Sequence, residues 1–114
     1  MSSTGDAVPT EPVQLTNASD LDDVVARYDI VLVDFYADWC GPCQMMEPTI
    51  KSLASETDAA VLKVDVDQFQ QLAGEYQVQG IPTLLVFVDG EPVERLVGAQ
   101  SEQQLSTVIT NYTH

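Results

Sequence analysis

IVLVDFYADWCGPC, residues 30–43, joins an apolar run to a pair of cysteines three positions apart. Cys40 and Cys43 are the only cysteines of the chain. Helical residues three positions apart are neighbours on one face, so their sulfurs can close a small disulfide ring and open it again. The spacing therefore indicates a redox pair.

An apolar run precedes the cysteines and a helical pattern follows them. Residues 30–36 are apolar at almost every position, as expected for a buried central strand of a parallel sheet. Residues 44–55 carry apolar side chains at spacings that mostly fit one helical face, and we assign Met45 and Met46 to the core. Pro48 should kink this helix, because it lacks the N–H that would bond to the carbonyl four residues earlier.

The position at a helix N-terminus predicts how the two thiols differ. Unpaired N–H groups and the helix dipole stabilise negative charge there, so a thiol ionises more easily. The thiolate attacks in disulfide exchange, so Cys40, first and more exposed, is the predicted nucleophile, and Cys43 resolves the mixed disulfide. Pro42 suits the first turn, and Gly41 lets another backbone approach closely. Cys-x-x-Cys alone also occurs in zinc sites and inert bridges, so the motif needs further support.

Three segments of the chain resemble the thioredoxin family. They are VDFYADWCGPC at 33–43, GIPTLLVF at 80–87 and Val97-Gly98-Ala99, in the family's order and at about its spacing. The resemblance implies an α/β thioredoxin fold, with a central mixed β-sheet of about five strands flanked by about four helices. It also implies a general protein-disulfide reductase and electron carrier that cycles through Cys40 and Cys43. Such a protein needs no metal or organic cofactor, and a thioredoxin reductase regenerates its dithiol.

The resemblance assigns roles to Asp34, Lys63 and Pro82. From the pattern alone, Asp34 could be an edge or bulge residue turned to solvent, because aspartate is rare in strands and rarely buried unpaired. Thioredoxins place this aspartate in the core beneath the second cysteine, where desolvation raises its pKa and suits it to exchange a proton with Cys43. Lys63 matches the family lysine that tunes this carboxylate; an ordinary solvated lysine is the alternative. The Ile81-Pro82 bond, trans on base rates, is cis in the family and lies beside the disulfide.

Thioredoxins also present a small apolar platform around the cysteines, where partner proteins dock. An extended target chain would pair there with the backbone of Ile81. Taken singly, most of these positions would be assigned to the core or to turns. In this sequence they are Trp39, Gly41, Pro42, Val66, Gly80, Ile81, Val97, Gly98 and Ala99.

The rest of the chain predicts the order β-α-β-α-β-α-β-β-α. The predicted strands are Val13 to Thr16, 30–36, Ala60 to Val66, Thr83 to Val88 and Val93 to Val97. The last two flank a hairpin turn at Asp89-Gly90, with Pro92 at a strand start or an edge. The predicted helices are Ser19 to Tyr28, 44–55, Gln68 to Tyr76 and Ser101 to Tyr112, with capping boxes at Ser19-Asp22 and Ser101-Gln104.

Length and composition indicate one domain with a short arm. At 114 residues and 45% apolar content, the chain can form a single core. We assign residues 1–12 to a flexible acidic N-terminal arm and residues 13–114 to the thioredoxin domain. The start lacks the basic and apolar regions of a secretory signal, and no apolar stretch could span a bilayer, so a cytoplasmic protein is expected.

The chain is strongly acidic. Its 18 acidic residues stand against 4 basic ones, for a formal net charge of -14 and a pI near 4.1. This charge repels nucleic acid and anionic membranes and excludes both as partners. The expected partners are a thioredoxin reductase and disulfide-containing target proteins, and the protein is expected to be a monomer. A salt-rich cytoplasm that screens the repulsion is the leading explanation of the charge; steering toward basic partners is the alternative.

Two other functions stay open at the level of the sequence. A disulfide oxidase or isomerase could share the fold, but Gly41-Pro42 disfavours it, because strong oxidants usually carry a histidine between the cysteines. A zinc-binding or scaffold module is disfavoured, because two cysteines and the distant His114 cannot supply four ligands.

Overall fold

A computed structural model describes residues 7–113, which form a five-stranded mixed sheet with helices on both faces. The strands are β1 (Val13–Gln14), β2 (Ile30–Tyr36), β3 (Ala60–Asp65), β4 (Thr83–Val88) and β5 (Glu91–Val97). The helices are α1 (Asp20–Arg27), α2 (Gly41–Met45), α3 (Glu47–Glu56), α4 (Gln70–Glu75) and α5 (Glu102–Tyr112). The strands lie in the order β1-β3-β2-β4-β5. The first three of these are parallel, whereas β4 is antiparallel to β2, and β5 to β4.

The central strand β2 separates two apolar cores. All its residues are buried, and alternate side chains point to opposite faces of the sheet. Val33 and Phe35 pack with side chains of α1 and α4. Leu32 packs on the other face with side chains of α3 and α5. Asp34 follows this alternation onto the α3 face.

The predicted fold class is confirmed, with one difference in the helices. The single kinked helix predicted over 44–55 is two helices, α2 and α3, separated at Met46. The Met46 N–H still donates to the Pro42 carbonyl at 3.2 Å, and the Ile50 N–H donates to the Met46 carbonyl at 2.8 Å. Pro48, in the first turn of α3, has no N–H to continue this ladder. Within residues 7–113 there are therefore five helices, where about four were predicted.

Met45 does not belong to the core, contrary to the prediction. Its side chain is 80% exposed, whereas Met46 is buried. Consecutive helical residues point about 100° apart, so only one of two adjacent methionines can face the sheet. Helical spacing alone did not show which one.

Several element ends differ from the predicted ones. β1 and α4 are shorter, and β5 is longer, since it begins at Glu91 and includes Pro92. β5 is an edge strand, which tolerates a proline as predicted, and its pairing with β4 shifts register nearby. The hairpin turn is confirmed: Asp89 and Gly90 both have positive φ, 52° and 85°, as a type I′ hairpin turn requires.

Of the two predicted capping boxes, one is confirmed. The Gln104 N–H donates to the Ser101 Oγ at 3.1 Å, and the Ser101 N–H donates to the Gln104 side chain at 3.1 Å. The box at α1 is wrong, because Ser19 makes no side-chain cap bond. Its backbone is already helical, with φ −66° and ψ −19°, whereas a capping serine needs an extended backbone to reach the N–H groups of the first turn.

Residues 1–6 and His114 lie outside the described residues. The first half of the predicted N-terminal arm therefore lies outside them as well. Residues 7–12 form no helix or strand, and Val8 packs against the core on the α1 face. None of the helices within residues 7–113 is long and apolar enough to span a membrane.

Candidate active site

Cys40 and Cys43 form a disulfide where β2 gives way to α2. Cys40 is the N-cap residue of α2, with an extended backbone, and Cys43 lies in the first helical turn. Their Cα atoms are 5.2 Å apart. The predicted placement of the cysteines at a strand-to-helix junction is confirmed.

Both cysteines are buried in this oxidised state. Each is 4% exposed, and they pack with Tyr36 and Ala37 and with the partly buried Val66 and Ile81. The expectation that Cys40 is the more exposed of the two is therefore wrong for the disulfide form.

The first turn of α2 donates a hydrogen bond to the first sulfur. The Cys43 N–H lies 3.2 Å from the Cys40 Sγ, which occupies the place that an N-cap oxygen usually takes. This bond and the helix dipole stabilise negative charge at that sulfur when the disulfide is reduced. The geometry thus favours a thiolate at Cys40.

The Ile81-Pro82 peptide is cis, as predicted, and it lies beside the disulfide. The Ile81 carbonyl oxygen is 3.8 Å from the Cys40 Sγ. The Gly98 N–H donates to the Pro82 carbonyl at 2.8 Å, which joins the loop before β4 to the end of β5. The two segments that resembled the family outside the cysteine motif therefore meet at the cysteines.

Most of the predicted platform lies at the surface near the disulfide. Trp39 is 70% and Val97 58% exposed, and a Cβ added to Gly80 would lie 3.5 Å from the Val97 side chain. Gly98 has a φ of +90°, a conformation that favours glycine. Among the remaining platform residues, Val66 and Ile81 are half-buried, and Gly41, Pro42 and Ala99 are exposed.

Asp67 is a site residue that the sequence did not reveal. The Trp39 Nε1 donates to the Asp67 Oδ2 at 2.7 Å, which fixes the exposed indole ring next to the cysteines. The two residues are 28 positions apart and both lie in loops, so no local pattern signals the bond.

Asp34 is buried, with 3% of its surface exposed. Burial raises its pKa from the ordinary 3.8 to about 7; the Lys63 ammonium opposes this rise, and the Glu47 carboxylate adds to it. The edge or bulge alternative is therefore wrong. A carboxyl group with a pKa near 7 can both accept and release a proton at neutral pH.

Lys63 pairs with Glu47, a site residue that the sequence did not reveal. The Lys63 Nζ lies 2.5 Å from the Glu47 Oε2 and 4.3 Å from the centroid of the Tyr36 ring. Only 14% of the lysine side chain is exposed, so the solvated-lysine alternative is wrong. Glu47 follows Cys43 by four positions, and that spacing could have drawn attention to it.

A groove of about 370 Å³ opens beside the second cysteine. Both charged residues that act on Asp34, Glu47 and Lys63, line this groove. Its lining residues are Tyr36, Ala37, Asp38, Cys43, Gln44, Glu47 and Lys63.

These parts can together carry out thiol–disulfide exchange. A disulfide lies at a helix N-terminus, beside a cis-proline loop, and the strand that leads to it carries Asp34, whose pKa burial raises to about 7. A family model described as Thioredoxin matches residues 12–111. The chain belongs to the thioredoxin family.

Other thioredoxins resemble the chain over nearly its whole length. The thioredoxin of Mycobacterium bovis is 43% identical over 112 residues, covering 93% of this chain and 97% of the relative. A mutant thioredoxin from Halobacterium salinarum NRC-1 has a TM-score of 0.92 and 55% identity, covering 96% of this chain and 97% of that one.

One relative is a much longer protein, and this chain matches only part of it. A bifunctional thioredoxin reductase/thioredoxin of Mycobacterium leprae is 43% identical over 105 residues, covering 87% of this chain and 23% of that protein. As a thioredoxin, the chain is a thiol-disulfide oxidoreductase, and the predicted dithiol-disulfide reductase function is confirmed.

Proposed function

We propose that Cys40 is the nucleophile and Cys43 the resolving thiol of this thioredoxin. The Cys40 thiolate attacks a target disulfide, forms a mixed disulfide and releases one target thiolate. Cys43 loses its proton and attacks the Cys40 sulfur, which breaks the mixed disulfide and releases the second target thiolate. Two electrons have then passed from the dithiol to the target. The observation that carries this order is the hydrogen bond from the Cys43 N–H to the Cys40 Sγ at 3.2 Å.

Asp34 is the proton partner of Cys43 in this proposal. A buried carboxyl with a pKa near 7 can accept the thiol proton as the resolving attack begins and return it when the disulfide is reduced again. Lys63 tunes this group from the neighbouring strand, where it is the register partner of Asp34.

The platform around the disulfide is the docking surface for protein partners in this proposal. The Ile81 backbone lies next to Cys40, and an extended target segment would pair with it there. Exposed apolar groups such as Trp39 and Val97 would cover the target on either side. The full docking set is Trp39, Gly41, Pro42, Val66, Gly80, Ile81, Val97, Gly98 and Ala99.

The proposed partners are disulfide-containing target proteins and a thioredoxin reductase that restores the dithiol. The Mycobacterium leprae relative is named as a thioredoxin reductase and a thioredoxin in one chain, which supports a thioredoxin reductase as a partner. We further propose a cytoplasmic monomer without metal or organic cofactor, with residues 13–114 as its thioredoxin domain and residues 1–12 as an acidic N-terminal arm.

The acidic surface is proposed to be an adaptation to salt. A net charge of -14 on 114 residues destabilises the folded state through self-repulsion, which dissolved salt screens. The similarity to a Halobacterium protein supports this explanation over steering toward basic partners.

A disulfide-reduction assay on a model protein tests the proposed function, with dithiothreitol as electron source at low and at molar salt. The wild-type protein should accelerate reduction, and it should do so better at molar salt. Cys40→Ser should abolish the acceleration, whereas Ser52→Ala, a neutral change in α3, should leave it unaltered. Acceleration that survives Cys40→Ser would contradict the assigned nucleophile, and a preference for oxidising dithiols would favour the oxidase alternative.

A further inference from the structure

Glu47 connects the start of α3 to the strand beside Asp34. Its Oε2 lies 2.5 Å from the Nζ of Lys63 on β3. Lys63 is the register partner of Asp34 in the parallel β2–β3 pairing, and neighbouring strands lie about 4.8 Å apart, so both side chains start close together on one face. A lysine at this register could turn its ammonium toward Asp34, but its ion pair is with Glu47.

A contact with the Tyr36 ring also holds the lysine in this orientation. Its ammonium lies 4.3 Å from the centroid of the Tyr36 ring, within the range of a cation–π interaction. The Tyr36 side chain in turn packs with Cys43 in the small cluster around the disulfide. Glu47, Lys63, Tyr36 and Cys43 therefore line a single groove.

We propose that Glu47 is a positioning residue for disulfide exchange, which holds the Lys63 ammonium in the groove and keeps it from pairing with Asp34. The inference rests on the proposed proton-exchange role of Asp34. A carboxylate in a direct ion pair strongly prefers its charged form. Asp34 paired in that way would be a poor acceptor for the proton that Cys43 gives up.

The groups around Asp34 make the effect of Glu47 directional. Lys63 from β3 lowers the pKa of Asp34 and Glu47 from α3 raises it. The other titratable groups that line the groove are Cys43 from α2, Tyr36 from β2 and Asp38 from the loop between them. The β4 residue paired with Asp34 is apolar. Removing the Glu47 charge should thus lower the pKa of Asp34 in two ways. The carboxylate that raises this pKa is lost, and the Lys63 ammonium is free to approach Asp34.

The test is the titration of the Asp34 carboxyl in the reduced protein, followed by ¹³C NMR, together with the pH profile of model-disulfide reduction. Glu47→Gln should lower the midpoint by about one pH unit or more and move the rate profile in the same direction. Because the Glu47 side chain is 36% exposed, the variant should fold. Glu56→Gln removes a carboxylate from the exposed end of the same helix. It should move neither the Asp34 midpoint nor the rate profile. An unmoved midpoint in Glu47→Gln would overturn the proposal.

A Lys63→Met background separates positioning from simple charge. Without the ammonium, Glu47→Gln should shift the Asp34 midpoint clearly less than it does in the wild type. An equal shift in both backgrounds would mean that Glu47 acts only through its own charge, and the positioning role would be wrong. The role of Asp34 is tested separately by the exchange rate of Asp34→Asn. An unchanged rate would refute that role, even if the Glu47 substitution moved the midpoint.

Discussion

Asp34→Asn should make the oxidised protein more stable at neutral pH while it slows the chemistry. The Asp34 pKa is raised from 3.8 to about 7 in the folded state, so the unfolded chain releases this proton more readily. The carboxyl group therefore supports folding fully only below pH 3.8, and its contribution falls as the pH rises through 7. Asparagine has nearly the same shape and cannot ionise, so the variant escapes this loss.

The expected magnitude follows from the pKa difference. One pKa unit corresponds to about 1.4 kcal/mol, so the full penalty above pH 7 is roughly 4 kcal/mol. Between pH 5 and pH 8, the stability advantage of Asp34→Asn should grow by about 2 to 3 kcal/mol. For a chain of this length, that corresponds to a relative rise in melting temperature of about 10 °C. This interval avoids the pI near 4.1, where low net charge promotes precipitation.

Urea unfolding of the oxidised protein at pH 5 and at pH 8 measures this difference. Asp58→Asn is the matched control, because Asp58 is exposed and its substitution should give an advantage that does not change with pH. Reduction of a model disulfide should slow in Asp34→Asn, by up to the roughly 10²- to 10⁴-fold typical of a positioned proton carrier. A stability advantage that stays constant between the two pH values, or a variant less stable than wild type at pH 8, would refute the reasoning.

Two further predictions concern stability. The melting temperature should rise clearly between 0.1 M and 1 M salt, because the Debye length shrinks from about 10 Å to about 3 Å and self-repulsion is screened; a flat or falling melting temperature would remove screening as the explanation of the acidic composition. Ser101→Ala should cost about 1 kcal/mol in urea unfolding, since it removes the capping bond at the start of α5. Ser106→Ala within the same helix is its control, and equal effects of the two would count against the cap.

The parts of the fold and of the site that were predicted correctly are those with a clear pattern in the sequence. β2 is apolar at nearly every position because it is buried on both faces, and a single carboxylate within it is conspicuous. The cysteine motif and the Ile81-Pro82 dipeptide carry the family resemblance, and they meet at the disulfide. Ser101 and Gln104 form a capping box within a single turn, where the sequence pattern is sufficient.

The features that the sequence did not predict depend on tertiary packing, which no local sequence pattern encodes. Glu47 and Lys63 are residue types of ordinary solvated surfaces, and only the packing of α3 on β3 brings them together. The Trp39–Asp67 bond joins two loops in the same way. The methionine between α2 and α3 faces the core, whereas Met45 within α2 does not. The helical backbone of Ser19 belongs to a turn in which the Asn17 and Ala18 carbonyls accept the first N–H groups of α1. The exposure of Cys40 depends on how side chains distant in sequence, such as Val66 and Ile81, pack around the disulfide.

Trapping of a mixed disulfide is the most direct test of the proposed division of labour between the cysteines. Cys43→Ser retains the nucleophile and lacks the resolving thiol, so it should accumulate a covalent complex with a disulfide-containing model protein. That complex should appear on a non-reducing gel and disappear with dithiothreitol. Cys40→Ser should trap little or nothing under the same conditions. Equal trapping by the two variants, or stronger trapping by Cys40→Ser, would contradict the assignment of Cys40 as the attacking thiol.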